Sequence, residues 1–245
     1  MNKIQLNSHS TMQVLKKIGK WLLQGKYASL NQLDRKLEKY VDYDGGYFVE
    51  LGANDGATQS NSLYFEKHRG WRGVLVEPAP QNFLKCRQNR SGRNSIYCAA
   101  CVSFDYDQEF VRIAYSNLMS TPISLESDIQ DPRAHARLGD RFLGQGETMF
   151  EFGAVARPLN SLLQDAGAPR QIDFLSLDVE GAELEVLKGV DHEAFRFKFI
   201  LVECRDFTRL NAYLDSKGYR FVEKLSSQDY LFTSEELSKS GAGGG

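Results

Sequence analysis

Apolar and polar positions follow two different rhythms along this chain, and the change between them falls after Gly45-Gly46. Over 11–40, apolar residues recur three and four apart. Val14, Leu15, Ile18, Leu22 and Leu23 share one stripe, with Lys16, Lys17 and Lys20 off it. That spacing predicts helix. A basic amphipathic helix can rest on a membrane surface as a peripheral contact. The more usual arrangement is packing over a main domain, and residues 1–45 are read as an N-terminal helical segment doing so.

From residue 46 onward, short apolar runs alternate with helical stretches. The runs 47–51, 73–77 and 95–100 predict the first three strands, and 172–178 and 199–203 the next two. The last two are nearly unbroken in Ile, Leu, Phe and Val, the pattern of strands covered on both faces and joined by crossover helices. Helices are expected over 59–68 before Gly70, over 80–89, and over 182–187 before Gly189. Runs at 219–224 and 230–233, separated by Ser-Ser-Gln-Asp, suit an antiparallel hairpin. The fold class that results is α/β: a doubly wound, Rossmann-like sheet, mostly parallel, with its last strand reversed. The main domain spans 46–236, and the Gly-rich stretch 237–245 reads as a flexible tail.

Residues 104–157 interrupt this rhythm with strand-like pieces at 110–115 and 148–156 around a polar stretch rich in Asp, Arg, Gly and Ser. A long excursion inside a compact α/β domain is usually functional. It is read as a substrate-recognition insertion.

Composition narrows the function classes. The 245 residues are 42% hydrophobic and 25% charged, as in a globular domain, and the net charge of −2 supplies no field to attract nucleic acid. The Asp/Asn-Pro-Pro-Tyr/Phe signature that holds a flipped base is absent too, so nucleic acid is not expected as a partner. No apolar run approaches the ~18 residues of a membrane-spanning helix, and no secretory signal opens the chain, so a cytoplasmic protein is expected. Cys98 and Cys101 form C-x-x-C without a second ligand pair at metal spacing. Together with Cys86 and Cys204 they read as small apolar residues kept reduced.

The chemistry concentrates where strands end. Glu50-Leu51-Gly52-Ala53-Asn54-Asp55-Gly56 follows the first strand and precedes the first crossover helix. A glycine turn there lets backbone approach a ligand at the carboxyl edge of the sheet. It is not a P-loop, lacking Gly-Lys-Ser/Thr, and not a G-x-G-x-x-G dinucleotide loop, because the position two after Gly52 is Asn54. The flanking acids Glu50 and Asp55 would repel a pyrophosphate but suit a ligand with an amino group, ribose hydroxyls and a sulfonium cation. S-adenosylmethionine has all three and no phosphate. Glu77, about twenty residues on at the end of the second strand, can accept both ribose hydroxyls. The bland alternative is a glycine turn with an unrelated strand-end acid.

A second constellation, Ile172-Asp173-Phe174-Leu175-Ser176-Leu177-Asp178-Val179-Glu180-Gly181-Ala182-Glu183, puts Asp178 and Glu180 at the carboxyl end of the fourth strand. Glu203 ends the fifth strand, followed by Arg205 and Asp206. Strand-end acids can act as a general base on an alcohol of high pKa, with Asp178 or Glu180 as the catalytic residue. Oxygen ligands also suit a divalent cation such as Mg²⁺, with Asp178, Glu180 and Glu203 as candidate ligands. They can equally bond loop amides and position a cofactor. His135, in the insertion, and His192, after the fourth-strand helix, are further candidate bases. A lone histidine on a surface segment is more often simply solvated.

Four stretches in this order and spacing resemble the FkbM-type methyltransferases: Glu-Leu-Gly-Ala-Asn-Asp-Gly at 50–56, Ser-Asn-Ser-Leu-Tyr at 60–64, Val-Glu-Pro at 76–78, and Leu-Asp-Val-Glu-Gly-Ala-Glu at 177–183. The resemblance runs from about Gly46 to Phe232 and is weak across the insertion. It implies a class I methyltransferase fold and S-adenosylmethionine-dependent O-methylation of a hydroxyl, commonly on a sugar of a glycan, nucleotide sugar or glycosylated natural product. By motif it places Glu50, Gly52, Ala53, Asn54, Asp55 and Gly56 along the methionine and ribose side, and Glu77 on the ribose hydroxyls. Pro78 with Cys98 and Ala99 falls at the adenine, Asn61 at the amino-acid end, and Asp178 nearest the transferred methyl. The competing functions are an NAD-dependent sugar-modifying enzyme, O-methylation of a non-sugar natural-product hydroxyl, and a non-catalytic binding module on the same fold. Oligomeric state is not legible.

Overall fold

The computed structural model describes residues 26–236. The elements follow in order: α1 (Leu33–Leu37), β1 (Tyr47–Leu51), α2 (Leu63–Arg69), β2 (Arg72–Val76), α3 (Pro80–Asn89), β3 (Ser95–Tyr97), β4 (Ala100–Val102), β5 (Phe110–Tyr115), β6 (Thr121–Pro122), α4 (Pro132–Arg137), β7 (Phe150–Pro158), α5 (Leu159–Asp165), β8 (Gln171–Leu177), α6 (Glu183–Lys188), β9 (Arg196–Glu203), α7 (Phe207–Ser216), β10 (Tyr219–Lys224) and β11 (Asp229–Ser234).

Seven strands form the main sheet in the order β10-β11-β9-β8-β1-β2-β3. Its β1, β2, β3, β8 and β9 are parallel, and β11 runs antiparallel between β9 and β10. The expected doubly wound sheet with a reversed last strand is therefore the one observed. Phe48, Val49, Leu75, Phe174, Leu175 and Ile200 are fully buried, which is why β1, β2, β8 and β9 read as unbroken apolar runs. One core lies on each face of the sheet.

Two expectations need correction. The run 95–100 is not one strand: pairing with β2 ends at Tyr97, and Ala100 pairs instead with Ala156 in β7. Cys98 and Ala99 bridge the two sheets. The second sheet, in the order β4-β7-β5-β6, contains most of the insertion's regular structure. The other correction concerns 26–40, where only α1 is α-helical. Asn31 and Gln32 take φ of 55° and 56°, which breaks any continuous helix ahead of it. The stripe from Val14 to Leu23 and the tail 237–245 lie outside the described residues. Leu33, Leu37 and Val41 are buried in the cluster that holds Phe48, Phe65 and Trp71. No helix among the described residues is long and apolar enough to cross a membrane.

Candidate functional site

The strand order reverses between β1 and β8, and a crevice at such a point, outside the carboxyl ends, is where α/β sheets bind ligands. Register sets what lines it. Leu51 is level with Val76 on one side and Leu177 on the other, and Leu177 is level with Val202. The next residue of each strand is then Glu77, Gly52, Asp178 and Glu203 in one row. Asp229, first residue of the reversed β11, pairs with Glu203 and extends it. This carboxyl edge, four acids and one glycine, opens on a cavity of about 540 Å³, within the range of small-molecule sites.

Gly52 occupies the one position in the row where a side chain cannot fit. Its φ is +75°, and an added Cβ would stand 1.9 Å from the carbonyl oxygen of Asp178. Gly52→Ala is expected to lower the melting temperature by roughly 5–10 °C, from left-handed strain and overpacking together. A melt within about one degree of wild type would contradict this placement.

The acids are held differently. Glu77 is buried; its Oε2 accepts the amide of Asn54 at 2.8 Å and its Oε1 that of Ala79 at 2.9 Å. Burial, opposed by those two amides, pushes its carboxyl up to about 7. Asp178 is half-buried and lines the cavity. Its pKa is raised well above the usual carboxylate range by burial and then by the neighbouring charges of Glu203 and Glu180. Glu203, raised by burial and by Glu180, is within hydrogen-bond reach of Asp178. Two carboxyls so close titrate as a pair, one keeping its proton while the other ionises.

Glu180 projects from the loop after β8 with φ of 56°, a costly conformation for a residue with a side chain. Glu183, pushed up to about 8 by burial, straps that loop by accepting the amides of Val179 and Gly181 at 3.0 and 3.1 Å. The Glu180 Oε2 atom meets His135 Nε2 at 2.7 Å and accepts from Arg205 Nη2 at 3.3 Å. The amide of Arg205 is in turn held by Asp128 at 2.7 Å. Three of the other non-glycine residues with positive φ, namely Asn54, Gln59 and Asn117, also line the cavity, and such strain clusters at functional sites.

Of the residues expected from sequence, Glu50, Gly52, Ala53, Asn54, Asn61, Glu77, Pro78, His135, Asp178, Glu180 and Glu203 come together on this one cavity. Others fall elsewhere. Asp55 turns inward to accept the amides of Ala57 and Thr58 at 2.9 and 2.6 Å, and Gly56 packs against Cys86 and Arg90. Ala99 lines a small apolar cavity between the two sheets, beside Pro78 and Ile113. The Cys98 thiol points to the carbonyl of Pro78. Glu50 borders the main cavity but is engaged by protein: Oε1 accepts the amide of Asn61, while Oε2 accepts Ser60 and Ser62 hydroxyls and faces the fully buried Arg90 at 3.2 Å. His192 is not on a surface segment. It is buried between Leu187 and Tyr219, away from the cavity lining, and burial lowers its pKa to about 4.

The expected metal ligands Asp178, Glu180 and Glu203 share the cavity but are not arranged as a metal site. Among the described residues no three His, Cys, Asp or Glu side chains are placed to hold a metal ion. The physical reason is Arg205, whose Nη2 lies 3.3 Å from Glu180 and 3.8 Å from Glu203 and supplies the countercharge a cation would bring. The arrangement does suit a phosphate-free cationic adenosine ligand. Asn61 donates Nδ2 to Ser176 at 2.9 Å, but its Oδ1 is buried without a partner, an orphaned acceptor on the cavity wall. An ammonium group would satisfy it.

Sequence reasoning missed Asn117, Ser120, Arg141 and Phe142, which the insertion contributes to the cavity wall, and Arg205, Gln228 and Asp229 from the last strands. Arg205 carried a signal, standing two residues past a strand-end acid. Asp229 carried none, because it fell in the Ser-Ser-Gln-Asp connection ahead of the run 230–233.

The known proteins to which this chain is similar include several methyltransferases. The profile of the methyltransferase FkbM domain matches residues 50–221. Methyltransferase sdnD of Sordaria araneosa is 30% identical, over 71% of this chain and 73% of its own length. Methyltransferase 1 of Beauveria bassiana is 23% identical, over 72% and 73% respectively. Among solved structures, the METTL16 methyltransferase domain aligns with a TM-score of 0.45 and 11% identity, over 83% of this chain and 66% of that one. The family match decides between the nicotinamide and methyl-donor alternatives in favour of the methyl donor. With the order of its main sheet and this match over most of its length, the chain belongs to the methyltransferase FkbM domain family and has the class I, S-adenosylmethionine-dependent methyltransferase fold.

Proposed function

We propose that this protein is an O-methyltransferase acting on a hydroxyl of a sugar, with S-adenosylmethionine as donor. The observation that carries the reading is the row Glu77, Gly52, Asp178, Glu203, Asp229 along one cavity. Glu77 would accept the ribose hydroxyls, Asn61 Oδ1 the methionine ammonium, and Pro78 with the neighbouring apolar cavity would border the adenine. When bound, the cofactor supplies an electrophilic methyl on cationic sulfur.

Asp178 stands where the acceptor hydroxyl must come. Of the pair it forms with Glu203, one carboxyl is ionised and would take the proton that the acceptor hydroxyl gives up when its oxygen receives the methyl in exchange for the methyl's bond to sulfur. The second carboxyl, still protonated, holds the first by hydrogen bond. His135 Nε2 is committed to Glu180, so His135 serves to fix Glu180 rather than to collect the proton itself. Alignment of the two reactants supplies the larger share of the rate, roughly 7–11 kcal/mol of barrier in favourable cases. The insertion over residues 104–157 forms the acceptor-side wall through Ser120, His135, Arg141 and Phe142. The cysteines are free, in keeping with a reducing compartment such as the cytoplasm.

A specific observation favours a second acceptor class, a hydroxyl on an apolar natural product. Leu30, Leu33, Leu118, Met119 and Phe142 also line the cavity and would bury an apolar body. Incubating the protein with methyl-labelled cofactor and parallel panels of nucleotide sugars, glycans and hydroxylated polyketides tests both. Label that is stable to alkali in a sugar product supports the first reading. Label only in the apolar panel replaces it with the second, and label in neither rejects O-methylation of these classes.

A further inference from the structure

The insertion meets the cofactor loop through a pair of asparagines. Asn117, in the turn Asn117–Met119, donates Nδ2 to the carbonyl of Phe142 at 2.7 Å and accepts at Oδ1 from Asn54 Nδ2 at 3.1 Å. The remaining groups of Asn54 are tied to the loop and to the row of acids. Its amide donates to Glu77 Oε2 at 2.8 Å, and its Oδ1 accepts the amide of Asp55 at 2.7 Å. A continuous chain of hydrogen bonds therefore runs Phe142–Asn117–Asn54–Glu77. Both asparagines have left-handed backbones, φ 47° at Asn54 and 55° at Asn117, conformations that persist only where their surroundings hold them.

The far end of this chain packs closely on the same turn. A Cβ on Gly139 would meet Ser116 Oγ at 2.4 Å and the Ser116 carbonyl at 2.6 Å, so the turn Leu138–Phe142 lies directly on the backbone that carries Asn117. The two turns form one unit, and it presents Met119, Ser120, Arg141 and Phe142 to the cavity.

We infer that Asn117 is a positioning residue coupling the cofactor loop to the acceptor wall, so that the acceptor site is completed only after the cofactor is in place. This rests on the cofactor site proposed above. Glu77 and Asn54, held by a ligand in the row, fix Asn117, and Asn117 fixes the 138–142 turn against the cavity. Without that ligand the two turns are tied to the row of acids only through the Asn117–Asn54 bond, and the acceptor meets a less firmly held wall. The order of binding is cofactor first, acceptor second.

Hydrogen exchange of the full chain with and without saturating S-adenosylhomocysteine tests this without knowledge of the acceptor. In the wild type, the ligand should slow exchange in 138–143 as well as in 52–56, by about fivefold or more, the lower end of typical coupling between sites. Asn117→Gly accommodates the left-handed backbone yet removes both side-chain bonds. It should retain the slowing at 52–56 and lose it at 138–143. Asn117→Asp keeps the acceptor for Asn54 but not the donor to Phe142, and should lose it likewise. Slowing at 138–143 undiminished in Asn117→Gly, or missing in the wild type while 52–56 responds, overturns the inference. No slowing at 52–56 in the wild type overturns the cofactor site itself and the inference with it, so the two failures are distinct.

Discussion

Asp178→Asn is expected to lower kcat for the best acceptor by about two orders of magnitude or more, since proton transfer to a placed side chain contributes roughly 10²–10⁴-fold. The amide has nearly the shape of the carboxyl it replaces, so the main chain that packs on Gly52 stays where it is. It cannot take a proton from the acceptor hydroxyl. It also removes one of the crowded acids, and with it the cost that burial and the charges of Glu203 and Glu180 place on ionising that carboxyl. The folded state of the variant should accordingly be at least as stable as wild type at pH 8. Steady-state kinetics and a thermal melt check the two halves separately. Turnover near the wild-type value, with the melt unchanged, removes Asp178 from the chemistry.

Glu77→Gln is expected to weaken cofactor binding by about 10- to 100-fold. Each hydrogen bond to a charged group is worth roughly 1.5–3 kcal/mol, and the variant loses the charge and one of its two acceptor oxygens. The wild-type protein should also show a pH dependence that the variant lacks. The Glu77 carboxyl is pushed up to about 7 by burial. Ribose hydroxyls donate to its ionised form and favour it, so binding releases a proton near neutrality and affinity rises between about pH 6 and 8. Calorimetry across that window, in buffers of different ionisation enthalpy, measures both effects. An affinity that falls with rising pH, or that is indifferent to Glu77→Gln, contradicts the assignment.

Much of this site was legible in the sequence because parallel strands buried on both faces announce themselves as apolar runs, and the residue that breaks each run is the one at the carboxyl edge. Glu77, Asp178 and Glu203 are such residues. Asp229 was not legible by that route. It reaches the row only because β11 turns back and pairs beside β9, a long-range choice with no local mark. The same holds for Asp128, which meets the amide of Arg205 across 77 positions of chain, and for the His135–Glu180 contact across 45. The third strand was misread for a related reason. Apolar character continues from Ile96 to Val102, so nothing in the pattern records that the chain leaves one sheet at Tyr97 and joins another at Ala100. The metal ligand set was a consequence of counting acids without their countercharge. Arg205 was visible as a residue, but its place between Glu180 and Glu203 was not.

Asp55 and Gly56 show the limit of reasoning from a motif. They belong to the same heptapeptide as Gly52, yet that segment turns away from the cavity after Asn54. Asp55 shapes the turn from within, and Gly56 allows Cys86 and Arg90 to approach. A motif marks a segment, and only the backbone path says which of its side chains face the ligand.

Titration calorimetry of the purified protein with S-adenosylhomocysteine, S-adenosylmethionine and NAD⁺ bears most directly on the acid-lined row as a home for a phosphate-free adenosine. The account predicts saturable one-to-one binding of the first two, weakened in Glu77→Gln, and no heat from the pyrophosphate-bearing dinucleotide. Saturable NAD⁺ binding, with none of either adenosyl compound, would contradict it.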